Sequence, residues 1–185
     1  MSVVKKTLLL VGSPKYAGSS SESLGTYLLE QLSEKGIVTE NIHINQLLKK
    51  TNGEEELLNA VNNCGLLILS FPLYVDSLPS GTIKALEIIA QDRAQNRNVK
   101  ENSKQQFMLA ICQSGFPEAH QSNIALAICR CFAGEAGFTW AGGLALGGGG
   151  ALIRKSLMPG WIYLFMGNLV WRMQARKNGA SSVKK

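Results

Sequence analysis

The chain has 185 residues, 45% of them hydrophobic, which is enough for one sizeable core, so a single domain over residues 1–185 is expected. Its formal charge of +6 is lopsided: residues 1–135 carry 12 Lys and Arg against 13 Asp and Glu, whereas residues 136–185 carry seven basic side chains and no acidic one. The basic C-terminal stretch reads either as a solvated tail or as a patch for an anionic partner, and no nucleic-acid partner is expected. No apolar run approaches the ~20 residues of a membrane span, and the apolar segment of the opening MSVVKKTLLLVG is too short for a secretory signal, so a cytoplasmic protein is expected.

Apolar runs alternate with helical patterns along the chain. Thr7 to Val11 (TLLLV) reads as a short buried strand, and Leu24, Tyr27, Leu28 and Leu32 then recur at helical spacing. After Lys35-Gly36, Val38 to Ile44 suits a second strand and Glu54 to Val61 a short helix with an acidic start. Leu66 to Phe71 (LLILSF) is a third strand, ended by Pro72, and Gly81 to Gln91 a helix with Ile83, Leu86 and Ala90 on one face. Residues 92–104 are polar and read as a long loop. Gln106 to Cys112 (QFMLAIC) is a fourth strand, Ile124, Ile128, Cys131 and Phe132 mark a helix, and Thr139 to Leu146 is a fifth strand. The run Gly147 to Gly150 lets the chain leave the sheet, and a last helix is expected over about 161–177. Five strands alternating with helices, the central ones apolar throughout, imply a parallel α/β sheet covered on both faces.

The four cysteines, Cys64, Cys112, Cys129 and Cys131, include no CxxC pair and sit in apolar runs, so neither a disulfide nor a metal site is assigned to them.

Three loops carry the chemistry. The first, GSPKYAGSSSESL (Gly12 to Leu24), runs from the carboxyl end of the first strand into the first turn of the first helix, where unpaired N–H groups and the helix dipole favour an anion. Serine hydroxyls add donors, and Gly18 lets the backbone curl around a bound group. The same residues also read as plain capping, with Ser19 and Glu22 spaced as a capping box. Neither GxxxxGK[ST] nor GxGxxG occurs here, which argues against a nucleotide-hydrolysing P-loop and a dinucleotide-binding loop. The second loop, PLYVDSLPSG after the third strand, offers Leu73 and Tyr74 as a flat surface for a planar ring, or simply a half-buried aromatic. The third, CQSGFPEAHQ after the fourth strand, has Gly115 for close backbone approach and Phe116 to cover an edge; an ordinary Gly-Phe-Pro turn is the alternative. In a sheet of order 2-1-3-4-5 the first two loops meet at the switch point between strands 1 and 3.

The segment LLLVGSPKYAGSSSESL resembles the GSPR-x-x-(S/G)-N-(S/T) phosphate loop of the NAD(P)H-dependent FMN reductase group of flavodoxin-like proteins, and FPLYVDSLPSGTIKALE is similar to that group's P-x-Y-x-x-S-x-P…K segment. The resemblance implies a flavodoxin-like three-layer sandwich, with helices on both faces of a five-stranded parallel sheet of order 2-1-3-4-5. It further implies FMN held by its phosphate at Ser13, Lys15, Ser20, Ser21 and Ser23, by its ring at Pro72, Leu73, Tyr74 and Val75, and bordered by Ser114 and Gly115. NAD(P)H would be the co-substrate, and a flavin, quinone or similar small molecule the acceptor. The group implies a homo-oligomer whose neighbouring subunit closes the substrate side.

Two positions depart from the pattern. Lys15 stands where arginine is usual, replacing a bidentate fork by a point charge, and Ser20 stands where asparagine is common. The cysteines of the group's iron–sulfur members are missing, so no cluster is expected. No general acid or base is obligatory for hydride transfer, and His120 is read as a bystander rather than a catalytic residue. Two other classes of function stay open: a flavodoxin-type electron carrier, and an FMN-binding interaction module that acts through its C-terminal segment. In Trp161 to Lys177 (WIYLFMGNLVWRMQARK) nine of the first eleven residues are apolar, which calls for burial in the domain, a subunit contact or, less favoured, a membrane surface.

Overall fold

A computed structural model describes residues 6–15, 17–96 and 105–148. Its strands are β1 (Lys6–Val11), β2 (Val38–His43), β3 (Leu66–Pro72), β4 (Phe107–Gln113) and β5 (Thr139–Leu146), and its α-helices are α1 (Ser20–Ser33), α2 (Ile44–Leu47), α3 (Gly53–Asn62), α4 (Ser80–Gln95) and α5 (Asn123–Glu135). All neighbouring strands pair in parallel, in the order β2-β1-β3-β4-β5. The expected helix over 161–177 and the loop residues 97–104 lie outside the described residues.

β1, β3 and β4 lie in the interior of the sheet, which is why LLLV, LLILSF and FMLAIC are apolar at successive positions rather than alternate ones, except at Ser70, whose hydroxyl is hydrogen-bonded. Leu8 and Leu10 of β1 point to one face, Leu9 and Val11 to the other, as the two-residue strand period requires. The Leu9 face packs under α1 through Leu24, Tyr27, Leu28 and Leu32, the helical stripe read from the sequence. Each such leucine contributes on the order of 1.5–3 kcal/mol by burial. α2, α3, α4 and α5 share the core on the Leu8 face, so helices cover both faces.

Several local expectations give way to packing. The second strand stops at His43, because Ile44 turns inward as the first residue of the short α2 and is fully buried there. Gln113 extends β4 and pairs with Pro72, which itself belongs to β3. α4 runs four residues beyond Gln91 and buries Thr82, Ala85, Leu86 and Ile89, leaving Ile83 exposed.

The larger difference lies in α5. The helix marked by Ile124, Ile128, Cys131 and Phe132 is present, but of these four only Phe132 packs against the core, half-buried; the buried residues are Ala125, Cys129 and Ala133. Ile124 is 60% and Ile128 40% exposed, and Cys131 is exposed as well. The small side chains of Ala125, Cys129 and Ala133 face the sheet, Leu126 and Phe132 pack half-buried against the same core, and Ile124 and Ile128 take the outside.

Candidate functional site

The loop that follows β1 is bound to its surroundings on three sides. Gly12 N–H donates to the Ser70 carbonyl at 2.8 Å, continuing the β1–β3 ladder by one residue. Thr82 Oγ1, in the first turn of α4, donates to the Gly12 carbonyl at 3.1 Å. Asn45 Nδ2, in α2, donates to the Ser13 carbonyl at 3.4 Å. No side chain fits at Gly12, where a β-carbon would run into Thr82 Oγ1 and lie 3.0 Å from Phe71 Cβ. The end of β1 is thereby fixed against the starts of both α4 and α2.

At the start of α1, Ser19 is the N-cap and its Oγ accepts from Glu22 N–H at 3.1 Å. The capping box closes one residue further out than expected: Glu22 Oε2 accepts from Gly18 N–H at 2.7 Å. Gly18 has φ +66°, which a glycine adopts without strain. Lys15 Nζ donates to the Gly18 carbonyl at 3.3 Å, and Lys15 N–H to Ser13 Oγ at 3.3 Å. Of the expected phosphate residues, Ser13 and Ser21 are buried, Ser20 and Ser23 half-buried and Lys15 exposed. Ser21 stands out: its hydroxyl is buried without a hydrogen-bond partner, while its carbonyl accepts from Ser70 Oγ at 2.7 Å.

The second loop leaves β3 at Pro72 and closes into a tight turn, with Tyr74 N–H donating to the Ser77 carbonyl at 2.9 Å and Ser77 N–H to the Tyr74 carbonyl at 3.0 Å. Between them Val75 and Asp76 have φ +48° and +59°, a left-handed conformation that valine rarely takes. The turn holds Val75 98% and Tyr74 48% exposed, while Pro72 and Leu73 are half-buried. Leu73 N–H donates to the Gln113 carbonyl at 2.8 Å, drawing this loop against the one after β4.

There Ser114 is buried, its N–H donating to the Leu146 carbonyl at 2.8 Å and its Oγ to the Phe116 carbonyl at 3.1 Å. Gly115 has open space where a side chain would be, and Phe116 is 62% exposed. His120 lies in a short 3₁₀ turn (Ala119–Ser122) and is exposed. The sheet thus assembles all three loops at the carboxyl ends of β1, β3 and β4. A groove of about 580 Å³ runs along β2, α2 and α3, lined by His43, by the amides of Asn41, Gln46, Asn59 and Asn63, and by the pairs Lys6–Glu40 and Lys50–Glu56.

These residues suit a flavin mononucleotide. A buried, unpaired hydroxyl and a left-handed glycine at a helix N-terminus fit a terminal phosphate, and Tyr74, Val75 and Phe116 give an apolar rim fit for a ring. Among the described residues no cluster of His, Cys, Asp and Glu is arranged to hold a metal, and no helix is long and apolar enough to cross a membrane.

No protein-family model matches the chain, and no curated protein sequence does. Solved structures do resemble it. An NADH:FMN oxidoreductase in its apo form superposes with a TM-score of 0.65 at 17% identity, over 93% of this chain and 89% of that one. An FMN-dependent NADH-azoreductase from Bacillus anthracis, solved in complex with FMN, gives 0.58 at 14% identity over 96% and 100% of the two chains. The NAD(P)H:acceptor oxidoreductase of Paracoccus denitrificans gives 0.56 at 19% identity over 74% and 75%. With the strand order β2-β1-β3-β4-β5, the observation is decisive for architecture. The fold is flavodoxin-like. In a flavodoxin-like sheet the crevice at the switch point lies outside the carboxyl ends of β1 and β3, where Gly12–Ser23 and Leu73–Pro79 stand.

Sequence reasoning singled out the three loops but not their supports. Thr82 and Asn45 gave no signal, being a helix-start threonine and an amide in an unforeseen turn of helix. His43 was invisible too: the parallel register places it opposite Val11, next to the loop. Glu22 reads as a cap in the sequence, and in the fold it also holds Gly18.

Proposed function

We propose that the protein is an FMN-dependent oxidoreductase that takes hydride from NAD(P)H and delivers it to a small acceptor. The observation that carries this reading is the convergence of the serine loop, the Tyr74–Ser77 turn and the Ser114–Pro117 loop at adjacent strand ends, and the likeness to solved flavin-dependent oxidoreductases supports it.

When bound, FMN supplies the two-electron chemistry. The chain's own residues then position and shield. Ser13, Ser20, Ser21 and Ser23 would take the phosphate with neutral donors at the α1 N-terminus, and Lys15 would add a single positive charge. Pro72, Leu73, Tyr74 and Val75 would face the ring, with Ser114 and Gly115 along its far edge. Gly115 has no side chain to obstruct a nicotinamide or an acceptor stacking at close range. No acid or base of the chain is assigned a step. A homo-oligomer belongs to the same reading, and the outward Ile124–Ile128 stripe is apolar surface that a second subunit would cover.

The test is the purified protein itself. Its released cofactor should run as FMN, and NADPH or NADH should bleach the flavin absorbance. FAD in its place, or no flavin after reconstitution, would overturn the assignment; bound FMN that neither nicotinamide reduces would leave the electron-carrier reading. Light scattering at micromolar protein measures the assembly, and a monomer mass would remove the oligomer.

A further inference from the structure

The Glu22 carboxylate is held from two directions. Oε2 accepts from the Gly18 N–H at 2.7 Å, and Oε1 lies 3.1 Å from His43 Nε2 at the carboxyl end of β2. The other ring nitrogen, His43 Nδ1, is buried without a hydrogen-bond partner, so the pairing with Glu22 is the contact that orients the imidazole. Glu22 and His43 come from different elements, α1 and β2, and meet because the β1–β2 register sets His43 opposite Val11, one residue before Gly12.

This arrangement has two effects on an anion arriving at the loop. The hydrogen bond to Gly18 fixes the left-handed bend around which the loop curls, so the curl exists before the ligand comes. The same carboxylate brings a negative charge to the floor of a site meant for a phosphate, a cost that grows if nothing shares the charge. A His43 N–H directed at Glu22 shares it, and the Lys15 ammonium on the Gly18 carbonyl adds a positive charge at the same glycine.

We infer that Glu22 and His43 form a positioning pair that shapes the phosphate loop and sets how tightly a phosphate-bearing flavin is held. The inference rests on the FMN reading above. Neither residue touches the ring, so the pair acts on FMN and not on riboflavin, which lacks the phosphate. Glu22→Gln keeps an oxygen for Gly18 N–H and removes the charge. His43→Gln keeps an amide nitrogen near the place of Nε2. His43→Ala removes the partner and leaves the carboxylate unheld.

The experiment measures FMN and riboflavin dissociation constants for the flavin-stripped full-length protein and these three variants. His43→Ala should weaken FMN about tenfold or more with riboflavin unchanged, His43→Gln should recover most of that loss, and Glu22→Gln should bind FMN severalfold more tightly than the parent. Equal losses for both flavins, no rescue by glutamine, or weaker FMN binding by Glu22→Gln would overturn the inference. The Gly18 amide, followed by NMR in the flavin-free protein, reads the pair apart from the cofactor. Its resonance should shift and its hydrogen exchange quicken in His43→Ala and not in His43→Gln, and an unchanged amide in His43→Ala overturns the pair. Failure of the parent to bind FMN, with that amide still responding, would fault the FMN reading instead.

Discussion

Thr82 Oγ1 donates to the carbonyl of Gly12 at 3.1 Å, joining the first turn of α4 to the last residue of the β1 ladder across the floor of the crevice. The hydroxyl also occupies the space that a β-carbon at residue 12 would need.

Thr82→Val, which preserves shape and removes the donor, should therefore cost about 1 kcal/mol, with the Gly12 carbonyl left short of a partner. Gly12→Ala should cost more, about 2–3 kcal/mol, because the new methyl meets both Thr82 and Phe71. The double variant Gly12→Ala/Thr82→Ala should lose less than the sum of its singles, since the second change clears room for the first. Urea unfolding of the parent, Gly12→Ala, Thr82→Ala and the double variant measures this, with Thr82→Val beside them; strict additivity in the cycle would contradict it.

The Tyr74–Ser77 turn holds Val75 at φ +48°, and the branched side chain points into solvent with nothing to offset the strain. Val75→Asn should raise stability by about 1 kcal/mol, asparagine being at ease in the left-handed region. Thermal melting reads it directly, and an unchanged or lower midpoint would show that contacts of Val75 outweigh its backbone.

Three of the four thiols are buried and one is exposed. Burial pushes the Cys64 and Cys129 thiols up to about 12 and Cys112 up to about 11. At pH 8 these three are protonated and inaccessible, so a thiol reagent should titrate one cysteine in the native protein, Cys131, and four after denaturation. Cys131→Ser should abolish the fast reaction. A second fast thiol would mean that a buried site opens.

The same shifts predict an alkaline weakness. Below pH 9 the buried thiols are protonated in both the folded and unfolded chain and contribute no pH dependence. As pH rises past 9, the ordinary value, the unfolded chain releases protons that the folded one keeps until about 11 or 12. Stability should then fall by ~1.4 kcal/mol per pH unit for each thiol, up to ~4 for all three. Urea midpoints between pH 8.5 and 10.5 give the slope, and Cys129→Ala should reduce it by about a third. A flat profile would show that the thiols titrate alike in both states.

The parts of the fold legible in the sequence are those with a strong period or a continuous apolar run. TLLLV, LLILSF and QFMLAIC mark interior strands because burial on both faces leaves little room for polar side chains, and Leu24, Tyr27, Leu28 and Leu32 mark α1 because the stripe matches the helical period. The inner face of α5 is less legible for a physical reason: the small Ala125, Cys129 and Ala133 face the sheet, while hydrophobicity alone points to Ile124 and Ile128. At the site, the loops themselves carry composition signals, serines and glycine in one, proline and tyrosine in another. Their supports do not, since Thr82, Asn45 and His43 come close only through topology and register.

The crevice thus has a crowded floor and an open rim. A β-carbon at Gly12 would strike Thr82, and one at Gly81 would strike Asn45, whereas Gly115 faces empty space, and Val75 and Phe116 project freely. Variation in a lineage of such chains would be channelled accordingly. The floor glycines gain a side chain at low cost only when the facing Thr82 or Asn45 changes too, while rim positions can drift singly. Whatever the rim contacts would then diversify by single substitutions, with the platform beneath left in place.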